Sequence, residues 1–311
     1  MSNLSASTAP HGAATGNIAC FAAMAMWSAA FPAVEILLLS WGVVALIAVR
    51  MALGAVMLCA AWIAVERTFD GPWRAGIVIG GLGFGGGASL LLIGQSLSGP
   101  VTTAIAASMT PIAGVVIEFL FDRKRPTALI LLGVALAIVG GLIATGAHLT
   151  ESDFGLGALI CLASVFVFSW GTRATTRLEG VTSLGRTAVT TVGAAVFCLI
   201  VWAAAVLTDA PGVAIGATDG ETLAILALYA LVAFAVAQIL WLWGAASLGI
   251  LLASLHMNAV PFYVMIAVVI AFEAEWSWAQ AGGAAIVALG VILSQTEPRN
   301  WRRRRRETSP R

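Results

Sequence analysis

Ten long apolar runs follow one another through the sequence, separated by short polar connections. A run of about 20 apolar residues matches the hydrocarbon core of a bilayer, which is about 30 Å thick. Because lipid offers no partner for an exposed backbone, each run must form a helix. The predicted spans are 16–38, 41–64, 73–97, 100–121, 127–146, 155–178, 185–207, 221–247, 249–272 and 277–296. We therefore expect an all-α integral membrane protein without a soluble domain.

Charged residues are scarce, and their placement orients the predicted bundle. They make up 10% of the chain, against about a quarter in a soluble domain. If ten helices alternate, the connections 65–72, 122–126 and 173–186 share a side with the C-terminal tail. Together with Arg74, that side holds 15 of the 16 Lys and Arg residues, and the other side has none. Since Lys and Arg mark the cytoplasmic side, we expect a multi-pass protein of a bacterial-type cytoplasmic membrane with both termini in the cytoplasm.

A proline-bearing segment occurs twice at a constant spacing. GPVTTAIAASMTP begins at Gly99, and GILLASLHMNAVP begins at Gly249. Four matched pairs lie 150 residues apart, namely Gly99 and Gly249, Pro111 and Pro261, Gly133 and Gly283, and Gly140 and Gly290. The copies lie five spans apart, so they cross the membrane in opposite directions. This predicts two inverted five-helix repeats around a central cavity, 16–146 and 155–296, between a cytoplasmic N-terminal tail at 1–15 and a basic cytoplasmic tail at 297–311. Secondary transporters are commonly built from such repeats, with the site near the membrane midplane.

The two matched prolines fall near the centres of spans four and nine. Pro111 and Pro261 each remove one backbone hydrogen bond, which is expected to free the carbonyls of Ala107 and Met257. A freed carbonyl at this depth needs protein, water or substrate beside it. A packing kink would explain either proline alone, whereas the mirrored pair favours a gate or cavity wall.

Polar residues inside the spans are candidates for substrate recognition, because lipid cannot satisfy them. Ser108 and Asn258 occupy matching positions in the two repeats and form the first candidate pair. Gln95 and Gln238 lie in spans three and eight, where amides could hold a carboxylate or an ammonium group. Each of these side chains could instead hydrogen-bond between helices.

Large aromatic residues near the middle of spans indicate a ring-lined pocket for an apolar or aromatic solute. Tryptophans near span ends belong to the interfacial belt, but central rings are less well explained that way. The candidates are Trp27, Phe84, Trp170, Trp241 and Tyr263. The same rings could fill an ordinary core.

Four ionisable residues lie within or near the predicted membrane slab. Glu35 and Glu118 lie close to span ends, where partial hydration could explain them. Arg50 lies deeper and must find a partner or a wet cavity; it could attract a carboxylate or organise helix ends. His256 could titrate near neutral pH, or stay neutral and hydrogen-bonded. Movement of protons by Glu35, Glu118 or His256 is left open.

Small residues in spans five and ten predict close helix approach rather than chemistry. Gly133, Ala137 and Gly141 repeat at four-residue spacing in span five, which is typical of tight packing between membrane helices. Gly282 and Gly290 lie two turns apart in span ten.

No motif indicates a cofactor, a metal or a nucleic acid. The stretch GGLGFGGGAS at 80–89 has no following lysine and lies in an apolar span, so it is not a phosphate loop. Topology and anionic lipid explain the arginine run at 302–306 better than nucleic acid does. We expect no cofactor, and only the lipid bilayer and a small-molecule substrate as partners; the sequence does not indicate an oligomeric state.

Both copies of the repeat resemble the signature of the drug/metabolite transporter superfamily, of the EamA type. The resemblance rests on residues 94–143, from GQSLSGPVTTAIAASMTP to ALAIVGGLI, and on 243–293, from WGAASLGILLASLHMNAVP to AIVALGVIL. MWSAAFP at 26–32 is similar to the family's first-helix motif, and Arg50 falls where its second helix often has an arginine. SWGTRATTRLE, the second copy of the first-helix motif, is a poor match. Composition is most similar to the YddG subfamily of aromatic amino-acid exporters.

This resemblance implies that helices one to four and six to nine surround the central cavity, with five and ten packed outside. It also implies export. We expect a secondary transporter that exports small metabolites, amino acids first and aromatic ones among them, by alternating access. A channel-like facilitator and a polytopic membrane enzyme are the alternatives. An enzyme should carry clustered His, Asp or Glu residues at one membrane face, and the sequence has no such cluster.

Overall fold

The computed structural model describes residues 12–94, 97, 106, 109–145, 155–260, 262–263, 266, 269–270, 276 and 278–295, and most of these residues are helical. The helices are α1 Ala13–Ser28, α2 Ala30–Leu37, α3 Val43–Glu66, α4 Trp73–Gly94, α5 Thr110–Asp122, α6 Ala128–Thr145, α7 Leu156–Thr176, α8 Ser183–Leu207, α9 Gly220–Leu248, α10 Ile250–Ser254 and α11 Trp278–Gln295. No strand occurs within these residues. The all-α prediction is confirmed over this part of the chain.

Six of the described segments are long and apolar enough to cross a membrane. They are Ala13–Val34, Val43–Glu66, Trp73–Gly94, Leu156–Thr176, Ser183–Leu207 and Gly220–Leu248. This indicates a multi-pass membrane protein. The described helix ends agree with the predicted spans to within a few residues. Spans four and nine fall partly outside the described residues, so the count of ten helices stays a prediction.

Three basic connections between helices meet at one end of the bundle, which we call the basic end. Asp122, the last residue of α5, accepts hydrogen bonds from Arg173 of α7 and pairs with Arg177 at 2.6 Å. Glu66, the last residue of α3, accepts a hydrogen bond from Thr182 just before α8. The charge pattern predicted that these connections share a side, and the contacts confirm it.

At the opposite end, the connection between α8 and α9 folds over the start of α3. The Gly42 N–H donates to the Ala214 carbonyl at 2.8 Å, and the Val44 N–H donates to the Gly212 carbonyl at 2.9 Å. These bonds satisfy backbone donors that the first turn of a helix leaves without a partner. We call residues 208–219 the strap, which lies in the second predicted repeat and covers a helix of the first.

Helices α6 and α11 pack against each other through glycines. A Cβ atom on Gly133 would lie 2.5 Å from the Gly290 carbonyl oxygen, and one on Gly140 would lie 2.5 Å from the Gly283 oxygen. Gly133 matches Gly283 in the predicted repeats, and Gly140 matches Gly290. Replacing both residues of one contact by their matches therefore gives the other contact. Gly282 was expected in this surface, and that is wrong: a Cβ added there meets nothing within 4 Å. Gly283 takes the contact instead.

A second pair of contacts is related in the same way. A Cβ on Gly94 of α4 would lie 2.9 Å from the Gly157 carbonyl oxygen of α7, and one on Gly244 of α9 would lie 3.0 Å from the Gly16 oxygen of α1. Gly94 and Gly244 lie 150 residues apart, while Gly16 and Gly157 lie 141 apart. These two contacts are the ones expected if α1 matches α7 and α4 matches α9 in the predicted repeats.

Both α4 and α9 contain a π-helical segment. The first spans Gly80–Gly86, and the second spans Leu228–Val236. The spacing of 150 residues places the first segment within the second. Such π turns are rare and occur frequently at functional sites, so their matched placement directs attention to the residues around them.

The chain around the matched prolines departs from the predicted geometry. Residues 255–259 form a 3₁₀ turn ahead of Pro261, and the Val260 N–H donates to the Met257 carbonyl. The expectation that this carbonyl lacks a donor is therefore wrong, because the tighter turn supplies one. Pro111 lies in the first turn of α5, where its missing N–H is not needed. Pro261 and the Ala107 carbonyl lie outside the described residues.

Candidate functional site

Four aromatic rings from four helices meet in the interior. Phe168 of α7 lies 5.8 Å from Trp27 of α1, 5.5 Å from Phe84 of α4 and 6.2 Å from Trp241 of α9, measured between ring centroids. Trp27 and Trp241 are 6.2 Å apart. These spacings are those of interacting aromatic pairs. We call the four residues the aromatic cluster; it brings together three of the five predicted rings.

Phe168 takes the place that the sequence pattern assigned to Trp170. Helices α4 and α7 cross in backbone contact here, since a Cβ on Gly83 would lie 2.6 Å from the Cα of Gly171. The ring of Trp170 lies beside this crossing, 3.7 Å from the same Cβ position. A signal for Phe168 was present: the Gly16 to Gly157 spacing of 141 residues pairs Trp27 with Phe168.

The inner face of the cluster is anchored by a hydrogen bond. Trp241 is fully buried, and its Nε1 donates to the Thr172 hydroxyl at 3.3 Å. Phe84 is also buried, while Trp27 and Phe168 keep partial exposure. Trp241 and Phe84 thus form the buried base of the cluster. Trp27 and Phe168, which the 141-residue spacing pairs, are partly exposed. Tyr263 packs at the margin of the same core.

The structure describes two of the four polar residues that the sequence proposed for substrate contact. Asn258 and Gln238 are each 2% exposed. Neither amide atom of Asn258, nor Oε1 of Gln238, has a hydrogen-bond partner among the residues that the structure describes. Buried amide atoms normally find a partner, so these groups are suited to a polar ligand or water. Ser108 and Gln95 lie outside the described residues, and the matched pair of Ser108 and Asn258 stays a prediction.

Two of the ionisable candidates have structural partners. His256 is fully buried, with Nδ1 3.1 Å from the Leu252 carbonyl oxygen and its ring edge-on to Phe21. Nδ1 therefore carries the proton and donates. Glu118 accepts the Leu251 N–H at 3.2 Å, at the start of α10, and pairs with Lys124 at 3.3 Å. The side chain of Glu35, in α2, is outside the described residues.

Arg50 of α3 is held by two rings of α9. Its Nη1 donates to the Tyr229 hydroxyl at 2.9 Å. Its guanidinium carbon lies 4.7 Å from the centroid of the Tyr229 ring and 4.5 Å from that of Phe234. Contacts of this kind attract a cation to the ring face. We call Arg50, Tyr229 and Phe234 the arginine clamp. Sequence reasoning singled out Arg50 but neither ring.

A resident metal has no evident place in this arrangement. Among the described residues, no group of three or more His, Cys, Asp or Glu side chains could hold a metal ion. The interior offers aromatic faces, unpartnered amides and one guanidinium, which suit an organic solute with an apolar body and a polar group.

Residues 14–146 match the model of the EamA-like transporter family. This part of the chain is similar to that domain. The match implies a membrane transporter of small molecules, and it names a transporter family rather than an enzyme family. It covers the first predicted repeat and does not distinguish the YddG subfamily.

Comparison with solved structures supports the fold. One structure, described only as "Crystal structure of protein", has a TM-score of 0.75 at 20% identity. The alignment covers 91% of this chain and 98% of that one. At this identity the likeness bears on the fold alone. No curated protein matches the chain significantly.

Proposed function

We propose that the protein is a secondary transporter that exports amino acids, aromatic ones among them, by alternating access between two inverted repeats. The observation that carries this proposal is the aromatic cluster. Trp27 and Phe84 come from the first repeat, and Phe168 and Trp241 come from the second. A site built half from each repeat changes its access when the repeats rock against each other. The EamA-like match supports the transporter class.

The exchanged glycine contacts support the inverted relation between the repeats. In a two-fold interface, the contact of one residue with a second implies the contact between their equivalents. This condition is met between α6 and α11, where Gly133 contacts Gly290 and Gly140 contacts Gly283. It is met at a second place, where the contact of α1 with α9 corresponds to the contact of α4 with α7. Two halves related in this way can form two similar conformations, each open to one side of the membrane.

The basic end lies in the cytoplasm in this proposal, as the excess of Lys and Arg there favours. Both tails are then cytoplasmic and the membrane is a bacterial-type inner membrane. Asp122 with Arg173 joins the repeats at the cytoplasmic end, and the strap joins them at the outer end. Export, rather than uptake, comes from the family resemblance.

Polar contacts to the solute fall to the unpartnered amides in this proposal. Asn258 and its repeat mate Ser108 are the matched pair, with Gln238 and Gln95 beside them. Pro111 and Pro261 mark the segments that gate the cavity, and Trp170 and Tyr263 extend its wall. Because Glu118 caps a helix and His256 donates to a carbonyl, proton coupling through them is not favoured.

The test is uptake of radiolabelled amino acids into proteoliposomes that hold the purified protein, with and without a pH gradient. Saturable flux competed by tryptophan or phenylalanine supports the proposal. Flux that does not saturate favours a channel-like facilitator, and conversion of the probe favours a membrane enzyme. No flux across a broad amino-acid panel removes the substrate class. Within active protein, the double change Ser108→Ala with Asn258→Ala should lower flux more than either single change.

A further inference from the structure

The arginine clamp contains a cation without a charge partner among the described side chains. Arg50 is the eighth residue of α3, about 10 Å along the helix from its first residue. The ion pairs of the described residues join Lys124 to Glu118, and Arg173 and Arg177 to Asp122, all at the basic end. A cation at the depth of Arg50 is expected to have an opposite charge or water beside it.

The π segment of α9 is what brings both rings onto this cation. Tyr229 and Phe234 are five residues apart within Leu228–Val236. In an α-helix, residues five apart point in clearly different directions, whereas the i→i+5 bonding of a π-helix brings them onto one face. An unusual backbone is therefore used to place two rings on one guanidinium, and such segments occur frequently at functional sites.

Helix α3 makes room for the clamp one turn beyond Arg50. A Cβ on Gly54 would lie 2.7 Å from Cε1 of Phe234, so a larger residue would push the ring away. Arg50 and Gly54 are four residues apart and share a helix face. The guanidinium is thereby fixed from three directions: the Tyr229 hydroxyl, the Tyr229 ring and the Phe234 ring.

The clamp leaves hydrogen-bond donors unused. A guanidinium has five N–H donors in a planar fork, and one nitrogen, Nη1, serves Tyr229. Nε is buried without a hydrogen-bond partner among the described residues. A planar fork with its orientation already fixed matches the two oxygens of a carboxylate. Phe234 belongs to the same buried core as Phe84 and Trp241, so the clamp and the aromatic cluster border one apolar core.

We propose that Arg50, fixed by Tyr229 and Phe234, binds the carboxylate group of the transported solute. The identity of the solute rests on the proposed function; the carboxylate chemistry rests on the clamp. The repeat relation does not produce a second clamp, because Ile79 stands at the position that matches Tyr229 and no arginine of span seven matches Arg50. Within the part of the chain that the structure describes, the clamp therefore takes its arginine from the first predicted repeat and its rings from the second, and not the reverse.

The test compares acids with their amides in a binding assay on purified protein in lipid nanodiscs. Radiolabelled tryptophan is competed with tryptophan and tryptophanamide, and radiolabelled leucine with leucine and leucinamide. In the wild type the acid should compete about tenfold better than its amide, because a charge-assisted hydrogen bond is lost in the amide. Arg50→Gln should abolish this preference, and Arg50→Lys, which keeps the charge but loses the fork, should retain part of it.

Matched variants separate recognition from structure. Tyr229→Phe keeps the ring and loses the hydroxyl, so it should narrow the preference for the acid without removing it. Phe234→Leu should also narrow the preference for the acid. Phe84→Leu, at the matching position of the other π segment, should weaken the binding of acid and amide equally. Arg74→Gln removes an exposed arginine and should leave the preference unchanged. If Arg50→Gln does not fold, Tyr229→Phe and Phe234→Leu decide the matter.

The outcomes distinguish this site from the transport proposal. An unchanged preference in folded Arg50→Gln protein overturns the carboxylate site, as does a wild type that binds acid and amide equally or binds neither pair. A wild type that binds acids with an Arg50-dependent preference, but gives no flux in proteoliposomes, supports the site and removes the transporter function.

Discussion

The two π segments lie at matched positions in α4 and α9 but serve different purposes. Gly80–Gly86 has five glycines, and it packs its backbone against α8; a Cβ on Gly85 would lie 2.9 Å from the Cβ of Phe197. Leu228–Val236 has no glycine and displays Tyr229 and Phe234 to Arg50. The same backbone irregularity thus serves close packing in one repeat and ring placement in the other.

This difference separates what the repeats share from what they do not. The glycine contacts are exchanged between the two predicted halves, which suits the rocking of one half against the other that we propose. Arg50 has no matching arginine in the other predicted half, which suits the proposed binding of a single carboxylate group. Phe84 and Phe234 illustrate this difference: they match at the 150-residue spacing, yet Phe84 contacts Phe168 while Phe234 contacts Arg50.

The largest expected effect comes from exchanging side chains between the π segments. Gly80→Ala places a Cβ onto the carbonyl of Thr190, and backbone cannot yield as a flexible side chain can. We expect a loss of about 3 kcal/mol in unfolding free energy, or no folded protein. Ala230→Gly, at the matched position, should cost about 1 kcal/mol. Denaturation of the purified variants in detergent measures both, and equal effects would contradict the assigned difference in packing.

A comparable effect is expected where Asp122 joins the repeats at the basic end. The side chains of Asp122 and Arg173 are 8% and 14% exposed, so Asp122→Asn breaks a largely buried pair and should cost about 3 kcal/mol. Asp219→Asn, at the exposed cap of α9, is the control and should change stability much less.

The same pair sets a pH dependence. The hydrogen bond from Arg173 holds the pKa of Asp122 below its ordinary value of 3.8. A carboxylate with a lowered folded-state pKa adds stability above its unfolded pKa and loses it as pH falls through the lowered value. The melting temperature of the wild type should therefore approach that of Asp122→Asn below pH 3.8. If the difference between the two melting temperatures stays constant as pH falls, the ion pair is contradicted.

A smaller loss is expected in the α6–α11 contact. Gly133→Ala and Gly140→Ala each bring a Cβ to within 2.5 Å of a facing carbonyl oxygen, which should cost about 1–3 kcal/mol. Gly282→Ala, on the open side of α11, should be neutral or slightly stabilising because alanine favours a helix. Thermal unfolding followed by size-exclusion chromatography compares the three. Destabilisation by Gly282→Ala alone would reverse the assigned helix faces.

Sequence reasoning could place the helices, because span length and the distribution of arginines depend on the bilayer alone. It could not place side chains within them. A membrane helix is apolar on every side, so hydrophobic periodicity does not show which face is inward, and Gly282 was chosen where Gly283 packs. Where the helix departs from 3.6 residues per turn, spacing also misleads. Tyr229 and Phe234 share a face only because of the π segment, and the Met257 carbonyl is satisfied only because of a 3₁₀ turn.

The smallest expected effect tests the aromatic cluster against the original choice of Trp170. Phe168 contacts three other rings, so Phe168→Ala removes several aromatic contacts at a partly exposed position. An aromatic solute in contact with Phe168 would lose one aromatic pair, worth about 0.5–1.5 kcal/mol, so its half-saturation concentration should rise by up to about tenfold. Trp170→Ala removes a ring beside the α4–α7 crossing and should change the half-saturation concentration much less. Transport kinetics of folded variants in proteoliposomes measure this difference; a larger effect at Trp170 would move the solute to that crossing and leave the four rings as core.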